Sequence, residues 1–355
     1  MPSLFSPLTL GSTELTNRIF LAPLTRCRNG PTHTPNALVK DYYTQRATAG
    51  LIISECSMVA PKTSAYSGEP GLYTPAQIEA WKAITDAVHA KGGKMVCQIW
   101  HAGRAAHPAL NDGAEAVSAS AIAIDGEAHT SHGKVPHVVP RALGTDEIPT
   151  IIQSFATAAK NAVEVAGFDG VEIHGANGFL VDQFLRSSTN TRMDGYGGSL
   201  QKRTRFLREL LVAVTAAVGA EKVGIRFSPL NGYNDMHDND PMALSMAVAK
   251  IAQDFSLAYV HVVRGDELHE QKGNVLPVFR EHFKNVLVAN MHYSKDEANA
   301  AIAAGEIDAV AFGLDFLANP DLPARFAANA ELTTPDSTTF YVGGAKGYTD
   351  YPMMA

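Results

Sequence analysis

At 355 residues the chain fits either two domains of about 150 residues or one large α/β barrel. Hydrophobic residues make up 46% and charged residues 18%, so the chain can bury a sizeable core and is not expected to be disordered. A formal charge of −7 argues against nucleic acid or an anionic membrane as a partner, and no stretch of 18 apolar residues predicts a membrane span. The three cysteines (Cys27, Cys56, Cys97) are scattered and odd in number, which excludes a disulfide framework or zinc ribbon; with no basic, apolar leader in MPSLFSPLTL, a cytoplasmic protein is expected.

Short apolar runs alternate with longer helical ones along the chain. A strand over Arg18–Ala22 leads to a helix over Pro35–Ala49, and a strand over Gly50–Glu55 to a helix over Pro75–Lys91. That helix has proline at its start and glycine just past its end. The third strand, Lys94–Ile99, is followed by a long insertion, 102–144, expected to carry a lid hairpin, and then by a helix over Thr145–Ala166. Strand Gly170–His174 precedes a helix over Ser199–Val218, and strand Val223–Phe227 precedes one over Pro241–Asp254. Strands over Ala258–Val263, Val286–Ala289 and Ala309–Phe312, with helices over Ser294–Ala304 and Pro320–Ala328, complete the alternation before a tail, 330–355. Eight apolar strands alternating with helices predict a single (β/α)8 barrel, the TIM-barrel architecture, across 1–355. The competing doubly wound sheet should open on a GxGxxG turn, and none is present.

Catalytic groups of such a barrel stand where its strands end. Those ends are polar here: Pro23-Leu24-Thr25-Arg26, Gln98-Ile99-Trp100-His101, His174-Gly175-Ala176-Asn177 and Arg226-Phe227-Ser228-Pro229. One such residue alone is as readily a satisfied polar group at a loop start, but four at equivalent positions point to a site. Gln98 can both donate and accept, Arg226 is a permanent cation, and Thr25 offers a hydroxyl. His174 and Asn177, three apart across a strand-to-helix turn, can converge on one oxygen and stabilise negative charge developing there. A metal centre is not expected, because the histidines lack ligand spacing.

Eight segments carry a resemblance to the Old Yellow Enzyme family: NRIFLAPLTRCR, DYYTQRATAGLIISE, EPGLYTPAQIEAWK, CQIWHAGRAAHP, GFDGVEIHGANGFLVDQFLRSSTNTRMDGYGGSLQKRTRFL, VGIRFSPLNG, LANPDLPARF and TFYVGGAKGYTDYP. The resemblance covers nearly the whole chain and implies a barrel holding non-covalent FMN, which NADPH or NADH reduces and an activated alkene reoxidises. It implies that Pro23, Leu24, Thr25, Cys56, Gln98 and Arg226 contact the flavin ring and ribityl chain, and that Ala289, Asn290, Gly313 and Leu314 form the phosphate turns. It further implies that His174 and Asn177 grip the oxygen of a small electrophilic alkene (an enone, maleimide or nitroalkene), with quinones and nitro compounds as further acceptors. Tyr66, Trp100, Phe179, Tyr233 and Tyr341 would wall the substrate pocket; packing is the alternative reading of these aromatics. The chain would act as a monomer or homodimer.

Two positions depart from the family pattern. Leu314 stands where many relatives have an arginine on the FMN phosphate, which leaves that anion to backbone N–H groups and a helix start. Phe179 stands where a tyrosine commonly protonates the alkene, so the proton must come from water or another hydroxyl such as Tyr66 or Tyr341. A flavin-binding protein with little turnover is the alternative this second departure raises. A barrel isomerase or aldolase would call for a Schiff-base lysine or paired carboxylates, and Glu55 is the one clear carboxylate candidate at a strand end.

Overall fold

The structure is a computed structural model that describes residues 1–130, 133–268 and 270–354. Eight parallel strands form its centre: β1 (Ile19–Leu21), β2 (Leu51–Ile53), β3 (Met95–Trp100), β4 (Gly170–Gly175), β5 (Val223–Phe227), β6 (Tyr259–Val263), β7 (Val286–Asn290) and β8 (Ala309–Phe312). Each pairs with the next, and β8 pairs with β1 through Val310 opposite Ile19, which closes the barrel.

Side chains alternate across each strand, so the even-numbered residues of β3, β4 and β5 point inward and the odd-numbered ones outward. Outward residues such as Cys97, Ile99, Val171, Ile173, Ile225, Val260 and Leu287 share one large apolar cluster with the surrounding helices. Inward residues fill the lower barrel with Phe20, Leu51, Ile53, Val96, Tyr259, Val288 and Ala309, over an antiparallel hairpin (Leu8–Leu10 with Thr13–Leu15) that adds Leu10 and Leu15. Higher up, the inward set turns polar. Register sets Gln98 beside Glu172, and lines up His174, Arg226 and His261 in one row.

The helix Pro75–His89 shows how its sequence starts it. Thr74 accepts from the Gln77 N–H at 3.3 Å, Gln77 Oε1 accepts from the Thr74 N–H at 3.1 Å, and Pro75 occupies the first helical position. Such a cap stabilises a helix by about 1 kcal/mol. Helix Pro241–Asp254 has the expected bounds. The run expected over Thr145–Ala166 is an α-helix only over Ile148–Lys160, after which it widens into a π-turn over Asn161–Val165. Helices Leu180–Leu185 and Leu276–His282 were not expected from the sequence. Insertion 102–144 does contain an antiparallel pair, Glu127–Thr130 with Gly133–Pro136; residues 131–132 lie outside the described residues.

Candidate active site

A cavity of about 680 Å³ opens at the carboxyl ends of the strands. Pro23, Leu24, Thr25, Cys56, Tyr66, Gln98, His174, Asn177, Phe179, Arg226, Tyr233, Asn290, Gly313, Leu314 and Tyr341 all line it. Two expected members do not. Ala289 faces the helices because its strand parity is opposite to that of Val288 and Asn290, and it is fully buried in the outer core. Trp100 is likewise fully buried, one layer behind the wall, with its ring 4.5 Å from Phe179 and 6.2 Å from Tyr66. No described residue of 102–144, where a lid is expected, lines the cavity, whereas the tail does so through Phe340 and Tyr341.

Arg26 and Arg28 hold that tail. Arg26 donates to the Phe340 carbonyl at 2.9 Å and the Gly347 carbonyl at 2.8 Å; Arg28 donates to the carbonyls of Thr339 at 2.7 Å and Val342 at 2.8 Å. Glu55, just past β2, accepts from the Arg26 N–H at 3.2 Å, and burial raises its pKa to about 7.

The donors under β4 are oriented by their other atoms. His174 Nδ1 accepts from the Ala176 N–H at 3.3 Å, which places the ring proton on Nε2, and burial followed by Arg226 holds the imidazole neutral, well below its usual pKa. Asn177 has a left-handed backbone (φ 56°), a conformation asparagine tolerates, with its N–H on Ser228 Oγ at 2.7 Å. Its orientation is set by a relay of amides. The Tyr233 N–H bonds Asn231 Oδ1 at 3.4 Å, so Asn231 Nδ2 donates to Asn177 Oδ1 at 3.0 Å, and the Asn177 NH2 remains for the cavity.

Gln98 Nε2 donates to Glu172 Oε1 at 2.7 Å, which leaves its carbonyl for the cavity. Burial works to raise the Glu172 pKa, yet His261 (Nδ1 at 2.9 Å), Arg226 and Gln98 outweigh it and hold the carboxylate below its usual range. Arg226 donates to Asn290 Oδ1 at 2.6 Å, while its buried Nε has no partner among the described residues. Burial lowers its pKa, and the negative charge of Glu172 opposes that shift. Glu172, His261 and Asn231 were absent from the sequence reading. Glu172 shares the parity of His174, and that signal could have found it; Asn231 lies in a loop and gave none.

At the opposite end Asn290 donates to the Ala311 carbonyl at 2.7 Å, and the following Met291 (φ 93°) and His292 (φ 52°) take left-handed conformations that glycine would adopt with less strain. Arg264 pins the carbonyls of Met291 at 2.9 Å and His292 at 3.0 Å, pairs with Glu297 and lies 3.7 Å over the Tyr293 ring. Leu314 is 50% exposed beside Asp315.

These groups fit FMN. Gln98 offers an acceptor, Arg226 a cation whose buried Nε has no partner among the described residues, and Thr25 a hydroxyl 3.0 Å from Cys56 Sγ, all around one cavity that ends in turns of chain. Comparison with known proteins agrees. The NADH:flavin oxidoreductase / NADH oxidase family matches residues 3–333. A probable flavin mononucleotide-dependent alkene reductase of Leishmania infantum is 43% identical over 357 residues, covering 99% of this chain and 97% of the relative. The old yellow enzyme from Trypanosoma cruzi superposes with a TM-score of 0.97 at 42% identity, covering 99% of each chain. Morphinone reductase in complex with tetrahydroNAD superposes with a TM-score of 0.95 at 42% identity, covering 100% of this chain and 98% of that one. The chain therefore belongs to the NADH:flavin oxidoreductase / NADH oxidase family and, within it, to the Old Yellow Enzymes, FMN-dependent NAD(P)H oxidoreductases that reduce activated alkenes.

Proposed function

We propose that His174 and Asn177 bind the carbonyl or nitro oxygen of a small electrophilic alkene and stabilise the charge that reduction places on it. The observation that carries this reading is the pair of neutral donors, His174 Nε2–H and the Asn177 NH2, each with its other polar atom already engaged by the protein. Donors fixed in this way need no reorganisation as charge develops. When bound, FMN would supply the hydride exchange between NAD(P)H and the alkene. Gln98 and Arg226 would hold the pyrimidine edge of the ring, with Arg226 meeting the negative charge that reduction brings, while Thr25, Pro23, Leu24 and Cys56 would line its other side. Burial pushes the Cys56 thiol well above its usual pKa, so it stays protonated beside Thr25. Asn290, Gly313 and Leu314 would border the phosphate, and Tyr66, Phe179, Tyr233 and Tyr341 the substrate.

Enones, maleimides, nitroalkenes and quinones share the electron-poor π system and polar oxygen that this arrangement suits. The three free cysteines are consistent with a cytoplasmic setting. Heat-denatured protein should release FMN, and anaerobic NADPH should bleach the flavin before an enone restores its colour. Release of FAD, or a reduced flavin that no electrophilic alkene reoxidises, would sink the reading.

A further inference from the structure

Reduction of an alkene needs a proton at one carbon as well as a hydride at the other, and Phe179 has no proton to give. Its ring packs edge-on against Trp100 at 4.5 Å and against His174 at 4.8 Å. Trp100 also stacks on Tyr66 (6.2 Å, 17° between planes), so that phenol stands one side chain from the position lacking a hydroxyl. The Tyr66 hydroxyl lies 2.9 Å from that of Tyr233, and both rings line the cavity. Tyr66 is partly buried, whereas Tyr233 is 44% exposed. One end of the pair therefore faces the substrate position and the other faces water.

The other phenols on the wall are placed differently. Tyr293 lies under the Arg264 guanidinium at the phosphate end, and Tyr341 is 61% exposed on the tail. We propose that Tyr66 is the proton donor to the alkene and that Tyr233 recharges it from solvent. This inference rests on the ene-reductase reading above.

As the hydride reaches the far carbon, the π pair moves toward the oxygen held by His174 and Asn177. The near carbon then forms its C–H bond with the Tyr66 proton, and the Tyr66 O–H bond breaks. The Tyr66 phenolate takes the proton of Tyr233, and water returns one to Tyr233, so the pair ends as it began. Burial, with the Tyr233 hydroxyl beside it, pushes Tyr66 well above the usual phenol range, so the donor is fully protonated at neutral pH. A carbanion is more basic than a phenolate, which keeps the transfer downhill.

The test compares acceptors in the holoenzyme. Tyr66→Phe should slow flavin reoxidation by 2-cyclohexenone about 10²-fold, the usual contribution of a general acid. Quinone reoxidation should fall much less than enone reoxidation, because quinones are protonated on oxygen. Tyr233→Phe should give a smaller loss with the same selectivity, and adding Phe179→Tyr to Tyr66→Phe should recover the enone rate by restoring a hydroxyl. An unchanged enone rate in Tyr66→Phe, or an equal loss on enone and quinone, would overturn the assignment. In flavin-free protein Tyr233→Phe should shift the ultraviolet phenol band of Tyr66, and an unchanged band would remove the wire. That spectral result stands apart from turnover: if the unaltered holoenzyme reduces no enone, the ene-reductase reading fails whatever the band shows.

Discussion

At the ends of β3 and β4, Gln98, His174 and Asn177 each have one polar atom engaged by the protein. Under β7 and β8, the cavity wall carries Glu267 and Asp315, and the nearby arginine, Arg264, is committed to Glu297 and to two carbonyls. His174, Asn177 and Gln98 have been turned by Ala176, Asn231 and Glu172 into groups of known polarity facing the cavity. Leu314 offers the phosphate end nothing of the kind. The contrast follows from what each end must do. Stabilising charge in a transition state depends on donors that are already aimed, whereas holding an anion in the ground state tolerates several weaker contacts.

The largest effect should come from dismantling the oriented end. Replacing both His174 and Asn177 by alanine should slow reoxidation of reduced flavin by cyclohexenone by about 10²-fold or more, the scale on which oxyanion donors act. Flavin reduction by NADPH should be largely spared, because the ring contacts proposed for Gln98 and Arg226 would be untouched. Stopped-flow rates of the two half-reactions decide between this and a merely structural role, which would slow both.

The opposite end invites a gain. Leu314→Arg would restore a guanidinium beside the turns, and a charged hydrogen bond of about 1.5–3 kcal/mol corresponds to roughly 10- to 100-fold tighter FMN binding. Half of Leu314 is already exposed, so the longer side chain need not displace core. Titration of flavin-free protein with FMN measures the change. Unaltered affinity would mean that Asp315 or Glu267 captures the new cation first.

What could be read from the sequence divides along similar lines. Gln98, His174 and Arg226 stood out because polar residues at the ends of apolar strands have few structural uses, and the structure places all three on the cavity. Two expected positions are off the cavity wall for different reasons: strand parity turns Ala289 toward the helices, whereas Trp100 has the inward parity of Gln98 and is set behind Phe179 and Tyr66 by packing that the sequence pattern does not carry. Parity would also have exposed Glu172, two residues before His174. The tail's part in lining the site depends on Arg26 and Arg28 finding carbonyls more than 300 residues away in sequence, and local pattern carries no trace of such bonds. Helix Leu276–His282 was missed because seven residues with a proline second show too little periodicity.

The smallest expected effect tests how the aim of the reaction end is kept. Asn231 touches Asn177 and the Tyr233 backbone, but among the described residues its role in the cavity is to turn the Asn177 amide. In Asn231→Ala the Asn177 amide loses the partner that distinguishes its oxygen from its nitrogen, and it can present either to the substrate. Losing one neutral hydrogen bond costs about 0.5–1.5 kcal/mol, so enone reoxidation should fall roughly two- to tenfold. The same change could also disturb Tyr233, and a double-mutant cycle separates the two routes. If Asn231 acts by orienting Asn177, then Asn231→Ala should cost almost nothing further once Asn177 is alanine, because there is no amide left to turn. Full additivity in that cycle would show that Asn231 supports the loop rather than the donor, and the orientation of the reaction end would then rest on the Ser228 and Asn234 contacts to the Asn177 backbone alone.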